Sequence, residues 1–136
     1  MEANKRIKGI IILSFLIPIL SFSQSHREVY NYIREVGIKH PSIVYAQSIA
    51  ETGHYNSVIC RENNNLFGMK MPTKRRTLAT GTNRGHATYN DWKQSIFDYW
   101  LWQKYFYKGG NYYEFLERWG YATSKGYINL LKQLNK

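Results

Sequence analysis

The 136-residue sequence predicts a mainly α domain of the α+β class, and three observations carry that prediction. From residue 26 onward, apolar residues recur at helical spacing in stretches that begin and end on capping residues. One stretch alone, 69–90, alternates weakly and contains Pro72, Gly81 and Gly85, as a short irregular β-hairpin would. Cys60 is the single cysteine, so no internal disulfide can form. Four Trp, twelve Tyr and the four Phe that follow residue 23 must therefore hold the domain together by packing.

The first 23 residues read as a secretory signal. Lys5, Arg6 and Lys8 precede an apolar run, Gly9 to Phe22, broken only by Ser14, Pro18 and Ser21. Ser21-Phe22-Ser23 places cleavage before Gln24. The run falls short of the ~20 residues of a spanning helix and holds a proline, so no stable membrane insertion is expected after cleavage. What remains, 24–136, is one domain. Val29, Tyr32, Ile33 and Val36 make a helical stripe over 26–37, closed by Gly37. Pro41 suits the first position of a helix over 41–52, and Gly53 suits the residue past its end. Residues 54–68, with three consecutive asparagines, read as a structured loop containing one helical turn. The hairpin is expected to run out along Phe67–Met71, turn at Lys74-Arg75-Arg76 and return near His86–Tyr89. Asp91 caps a long helix over 92–107 that carries Trp92, Ile96, Tyr99, Trp100, Gln103 and Phe106 near one face, and Gly109-Gly110 ends it. Short helices follow over 112–119 and 124–135, the last opened by Ser124.

The net charge is +10, and losing Lys5, Arg6 and Lys8 along with Glu2 leaves +8. Such a chain suits an anionic partner: a cell wall, a membrane surface or nucleic acid. The export signal and the absence of a nucleic-acid-binding motif argue against nucleic acid. His26, His40, His54 and His86 show no ligand spacing, so no metal and no other cofactor is expected. Cys60 could act as a nucleophile with His54 upstream, but no orienting Asn or Asp stands at a recognisable spacing, and a lone cysteine is more often a small buried hydrophobe.

Glu51 is the residue that most suggests chemistry. It falls in the last turn of the 41–52 helix, where the negative end of the helix dipole disfavours a carboxylate. Ile49, Ala50 and Gly53 offer it little polar support. Both effects favour the neutral acid, as a general acid working near neutrality requires. The alternative is a solvated helix-end glutamate. Asn65-Leu66-Phe67-Gly68-Met69-Lys70 follows, a loop whose amides could both donate to and accept from hydroxyl and acetamido groups. One acid against an apolar wall, beside such a loop, is minimal equipment for cutting a glycosidic bond.

The segment 46–72, with Ala46-Gln47 and Glu51-Thr52-Gly53 ahead of that loop, resembles the glucosaminidase domain of bacterial cell-wall hydrolases, glycoside hydrolase family 73. The likeness continues through His86-Ala87-Thr88-Tyr89, Ser95, Asp98-Tyr99 and Tyr121-Ala122-Thr123, on to Tyr127, and covers roughly 28–135. It implies a lysozyme-like helical domain with a short β-hairpin as one lip of a cleft. It makes Glu51 the general acid and puts Asn65, Phe67 and Gly68 in the floor of the sugar cleft. Tyr89 and Trp92 would lie near the cleft or beneath it, and Tyr127 would point its hydroxyl toward the reacting sugar. Each aromatic has core packing as its alternative, Tyr127 because Leu130, Leu131 and Leu134 share its helix.

Two departures from the family pattern stand out. Ser124-Lys125 replaces Asp-Pro, a variation in helix capping. No Asp or Glu occurs between Glu62 and Asp91, so the hairpin lacks an obvious second carboxylate; Glu62 is the candidate by proximity and Asp91 a weaker one. Chemistry that needs one acid is the other option: attack by the substrate's own 2-acetamido oxygen, or by a muramic acid 6-hydroxyl as in lytic transglycosylases. The expected function is an exported endo-β-N-acetylglucosaminidase acting on peptidoglycan glycan strands in a periplasm or outside the cell. The expected state is a monomer, with Lys74-Arg75-Arg76 and Arg84 as a cationic lip and no amidase activity. A catalytically silent peptidoglycan-binding module is the alternative from another class.

Overall fold

The structure, a computed structural model, describes residues 24–121 and 124–136. The expected signal, 1–23, lies outside the described residues. The elements are α1 (His26–Val36), α2 (Pro41–Thr52), α3 (Val58–Asn63), β1 (Gly81–Asn83), β2 (His86–Thr88), α4 (Trp92–Phe106), α5 (Tyr112–Arg118) and α6 (Lys125–Leu134). This is the mostly helical, lysozyme-like plan that the sequence predicts, with one antiparallel hairpin. No helix among the described residues is long and apolar enough to cross a membrane.

Local chemistry sets the helix ends. Ser25 accepts from the Glu28 amide while Glu28 reaches back to the Ser25 amide, a reciprocal capping box, and left-handed Gly37 closes α1. The Asp91 carboxylate accepts from the amides of Lys93 and Gln94 and opens α4; Asn111 does the same for α5. The expected helical turn in 54–68 is α3, capped by Ser57. α2 is buried on most of its surface, including Val44, Ala46, Gln47, Ser48, Ile49 and Thr52, because α1 and α6 pack against it. Val29, Ile33, Leu66, Phe67, Ile96, Tyr99, Leu116 and Leu131 complete the core. Tyr99 lies at its centre, with its hydroxyl bonded to Gln47 Oε1 at 2.7 Å and to the Tyr112 hydroxyl at 2.6 Å.

The hairpin differs from its expected course. The outgoing strand is Gly81–Asn83, not Phe67–Met71, and the turn is Arg84-Gly85, not Lys74–Arg76; the return strand is β2, as expected. Gly81 pairs with Thr88, Thr82 with Ala87 and Asn83 with His86. Both turn residues have positive φ, 53° and 74°, the backbone twist that a two-residue hairpin loop demands. Met69 touches β2 differently: its carbonyl accepts from the Ala87 amide at 2.9 Å. The segment 70–79 is instead a strap pinned by a buried ion pair, Arg75 to Asp98 at 2.9 Å.

Candidate active site

Glu51 sits in the last turn of α2, one residue before the chain turns sharply away. Gly53 ends the helix in the left-handed region, and His54 and Tyr55 follow with φ of 58° and 67°. Thr52 holds this turn: its hydroxyl donates to Ser48 O at 2.7 Å and accepts from the Tyr55 amide at 2.8 Å. The turn leaves the Glu51 carboxyl at a partly buried position facing α6 and the loop after α3.

Two groups meet that carboxyl. The Tyr127 hydroxyl on α6 donates to Oε1 at 2.7 Å. On the other side, a Cβ added to Gly68 would stand 3.3 Å from Oε2. Burial raises the Glu51 pKa above its ordinary value; the Tyr127 bond and the charge of His86 oppose that rise without cancelling it. Burial, followed by the charge of Glu51, pushes the Tyr127 hydroxyl well above its usual range, so Tyr127 stays a donor. Tyr121 is also held up by burial first and by Glu51 next. A neutral carboxyl with a fixed tyrosine donor can hold a proton on Oε2 and deliver it to a leaving oxygen.

Gln47, one turn before Glu51 on the same face of α2, accepts from Tyr99 through Oε1. Among the described residues its buried Nε2 has no hydrogen-bond partner, and its amide lies near the Tyr127 hydroxyl and favours that group's ionised form. The i, i+4 spacing of Gln47 and Glu51 was the signal for this residue, and Tyr121 stood in the motif without an assigned role.

The other candidate residues fall into layers. Asn65 is buried, with its amide nitrogen donating to the carbonyls of Met69 (2.8 Å) and Ala87 (3.0 Å) and its oxygen accepting from the amides of Phe67 and Met69. The expectation that Asn65 offers its amide to a sugar is therefore corrected: the amide shapes the loop that presents Gly68. Phe67, expected in the floor of the cleft, is fully buried on Tyr99, with ring centroids 4.3 Å apart, and belongs to the core beneath the loop. Tyr89 is buried and donates to Asp98 Oδ2 at 2.7 Å. Trp92 packs edge-on to Tyr32 of α1, with the Lys93 ammonium 5.7 Å from its ring. Glu62 lies on the surface, paired with Arg84 at 2.8 Å and Asn83, and Arg84 holds its carboxyl below the usual value. The structure thus gathers Glu51, Tyr127 and Gly68, sets Asn65, Phe67 and Tyr89 beneath the surface, and commits Glu62 to the hairpin turn.

The cationic lip is also corrected. Arg75 is buried against Asp98 and Arg84 is engaged by Glu62, so of the expected set only Lys74 and Arg76 are not held in an ion pair among the described residues. A groove of about 270 Å³ runs beside the site, lined by Met69, Lys70, Met71, Trp102, Phe106 and Tyr121 among others. Aromatic and thioether faces next to a lysine suit pyranose rings bearing acidic substituents.

Two substitutions test this geometry. Gly68 has φ of +61°, so Gly68→Ala is expected to cost about 1–2 kcal/mol in backbone strain. Its new methyl also presses on Oε2, so activity should fall further than the melting temperature suggests. Parallel thermal melts and rate measurements separate the two effects. Tyr127→Phe removes a hydrogen bond that favours the ionised Glu51. The pKa of the acid should rise further, moving the high-pH limb of activity upward, while the rate falls by about tenfold, the size of one bond to a charged group. A pH–rate profile of the variant beside the parent checks both.

Comparison with known proteins agrees with this architecture. Residues 27–136 match the glucosaminidase family, described as mannosyl-glycoprotein endo-beta-N-acetylglucosaminidase. Protein bax of Escherichia coli is 37% identical over 67 residues, a segment that spans 49% of this chain and about a quarter (24%) of that protein. The fold is similar to a type VI secretion system effector–immunity complex from Pseudomonas protegens (TM-score 0.66, 17% identity, 81% of this chain and 85% of the other). It is also similar to the catalytic domain of the autolysin Auto from Listeria monocytogenes (0.56, 21%, 80% and 79%). The third similar structure is a C-terminally truncated glycoside hydrolase domain of FlgJ from Salmonella typhimurium (0.54, 19%, 79% and 90%). With the match running from α1 to the end of α6 and taking in Glu51, Gly68 and Tyr127, the chain belongs to the glucosaminidase family.

Proposed function

We propose that the protein is an exported peptidoglycan hydrolase, an endo-β-N-acetylglucosaminidase that cuts after N-acetylglucosamine with Glu51 as its general acid. The observation that carries this reading is the partly buried Glu51 carboxyl, held by Tyr127 at 2.7 Å and faced by Gly68. In the reaction the bond between the anomeric carbon and the bridging oxygen breaks. Its electron pair goes to that oxygen, and the oxygen takes the Glu51 proton. Water supplies the hydroxyl of the new reducing end and returns a proton.

The candidate second carboxylates are committed elsewhere, Glu62 to Arg84 and Asp91 to the amides that open α4, and Asp98 is paired with Arg75. That favours attack by the substrate's 2-acetamido oxygen on the anomeric carbon, giving a bicyclic intermediate that water opens, over a two-carboxylate scheme. Incubation of residues 24–136 with purified peptidoglycan should release fragments ending in reducing N-acetylglucosamine, seen by mass spectrometry. A thiazoline mimic of the bicyclic intermediate should inhibit competitively. Fragments ending in anhydro-muramic acid would mean the same acid working with an internal hydroxyl, as in a lytic transglycosylase. No fragments, with the wall still bound, would mean a silent binding module.

A further inference from the structure

A second cavity, about 550 Å³, opens at the far end of α2 between the α1–α2 turn and the C-terminal end of α4. Its walls include Lys39, Trp100, Gln103, Lys104, Tyr107 and Lys108, and no Asp or Glu is among its lining residues. Pro41 opens α2 two residues after Lys39 and Glu51 lies in its last turn, so the helical rise sets the two ends of this stretch about 15 Å apart along the axis. The cavity uses the face of α4 that carries Trp100, Gln103, Lys104 and Tyr107, whereas the groove beside Glu51 is lined by Trp102 and Phe106 of the opposite face. Its volume falls within the range of small-ligand sites, roughly 300–1,000 Å³.

The cavity is built rather than incidental. Gln103 is buried and clamps the Lys39 backbone to α4 in both directions: the Lys39 amide donates to Oε1 at 2.7 Å and Nε2 donates to the Lys39 carbonyl at 2.9 Å. The Tyr107 hydroxyl donates to Gly110 O at 2.6 Å and lies 2.8 Å from His40 Nε2. His40, a non-glycine residue at φ of 55°, is held in that conformation by stacking on Tyr112 at 4.8 Å. Two of the cations are positioned as well. Lys104 Nζ lies 4.5 Å over the Trp100 ring, and Lys108 Nζ donates to Lys104 O at 3.2 Å. Ordering such side chains in advance removes part of the entropy loss of binding.

Three lysines with no ion-pair partner among the described residues, on a rigid frame with an aromatic edge, fit an anionic group attached to a larger polar chain. We infer that this cavity is a second, non-catalytic attachment site for a carboxylate-bearing segment of the glycan–peptide polymer. The identity of the polymer rests on the peptidoglycan reading above, whose stem peptides carry such carboxylates. Two weak contacts on one insoluble polymer raise its effective concentration at the Glu51 cleft without tighter binding at either place.

The test uses the Glu51→Gln protein, which should bind without cutting, and adds Lys39→Gln, Lys104→Gln and Lys108→Gln together. Pelleting with insoluble peptidoglycan should weaken by about tenfold or more. The corresponding Lys→Arg triple should restore it. In the active protein, the glutamine triple should leave cleavage of a short soluble glycan oligomer within about twofold of the parent, because the site is distant from Glu51. Converting the polymer's carboxylates to amides should lower binding of the unmodified cavity to the level of the triple variant. Equal pelleting with and without the three lysines overturns the inference, as does undiminished binding to the amidated polymer. Preference for a polyphosphate matrix over peptidoglycan overturns the assignment to carboxylates. If the active parent releases no fragments yet pelleting still depends on the lysines, the hydrolase reading fails and the attachment site stands.

Discussion

Glu51→Gln is expected to lower the rate of glycan cleavage by a factor of about 100 or more, the size of a lost general acid. Glutamine keeps an oxygen that can accept from Tyr127, so the local geometry survives while the transferable proton does not. The same variant should be more stable than the parent at neutral pH. The folded pKa of Glu51 is raised above 4.5, chiefly by burial. The stability linked to its neutral form is complete below the unfolded value and is lost as pH rises through the folded one. Glutamine never ionises, so the melting temperature of the variant should exceed that of the parent at neutral pH and converge with it in acid. Loss of activity with a gain in stability is the signature of a functional acid. A structural glutamate would lose both.

Asp98→Asn is expected to be the most damaging substitution for the fold. The Asp98 side chain is fully buried and accepts from both Arg75 terminal nitrogens at 2.9 and 3.2 Å, from the Leu78 amide at 3.2 Å and from the Tyr89 hydroxyl at 2.7 Å. Removing its charge leaves Arg75, whose side chain is 5% exposed, without a counter-ion. Breaking such a pair costs about 3–5 kcal/mol. A domain of this size is stable by about 5–15 kcal/mol in total, so the loss takes up a large part of that margin. Urea unfolding monitored by tryptophan fluorescence measures it, and a loss under about 1 kcal/mol would show that the pair does not pin the strap. Replacing both partners, Arg75→Met with Asp98→Leu, should recover only part of the stability: no charge is then stranded, but the buried Tyr89 hydroxyl and the Leu78 amide lose their acceptor. Activity should suffer beyond stability in Asp98→Asn, since the strap 70–79 forms one wall of the groove beside Glu51.

How much of this was legible in the sequence depended on the range of the interaction. Gly37, Pro41, Gly53 and Asp91 act within a few residues of themselves, so the helices could be read from caps and periodicity. Glu51 was legible for the same reason: its place at the end of an apolar helix is a local fact. Tyr127, 76 positions away, enters only through the family resemblance, which points its hydroxyl toward the reacting sugar; in the structure that hydroxyl donates to Glu51 instead. The hairpin was misplaced because Lys74-Arg75-Arg76 looks like an exposed turn in any local reading. Only a partner 23 residues on, Asp98, makes Arg75 a buried residue and the segment a strap. Asn65 misled in the opposite direction. An amide in a polar loop suggests a ligand contact, but the backbone groups of Met69 and Ala87 that occupy it are brought there by the fold.

In the proposed reaction burial raises the Glu51 pKa and the protonated carboxyl carries the cleavage. A carbon-13 NMR titration of the Glu51 side-chain carboxyl, assigned by its disappearance in Glu51→Gln and set beside the pH–rate profile on peptidoglycan, measures both the pKa and its link to activity. The expected midpoint lies above 4.5 and coincides with the high-pH limb of activity. A midpoint at or below 4.5, or cleavage that persists undiminished once Glu51 has ionised, would contradict the proposed reaction.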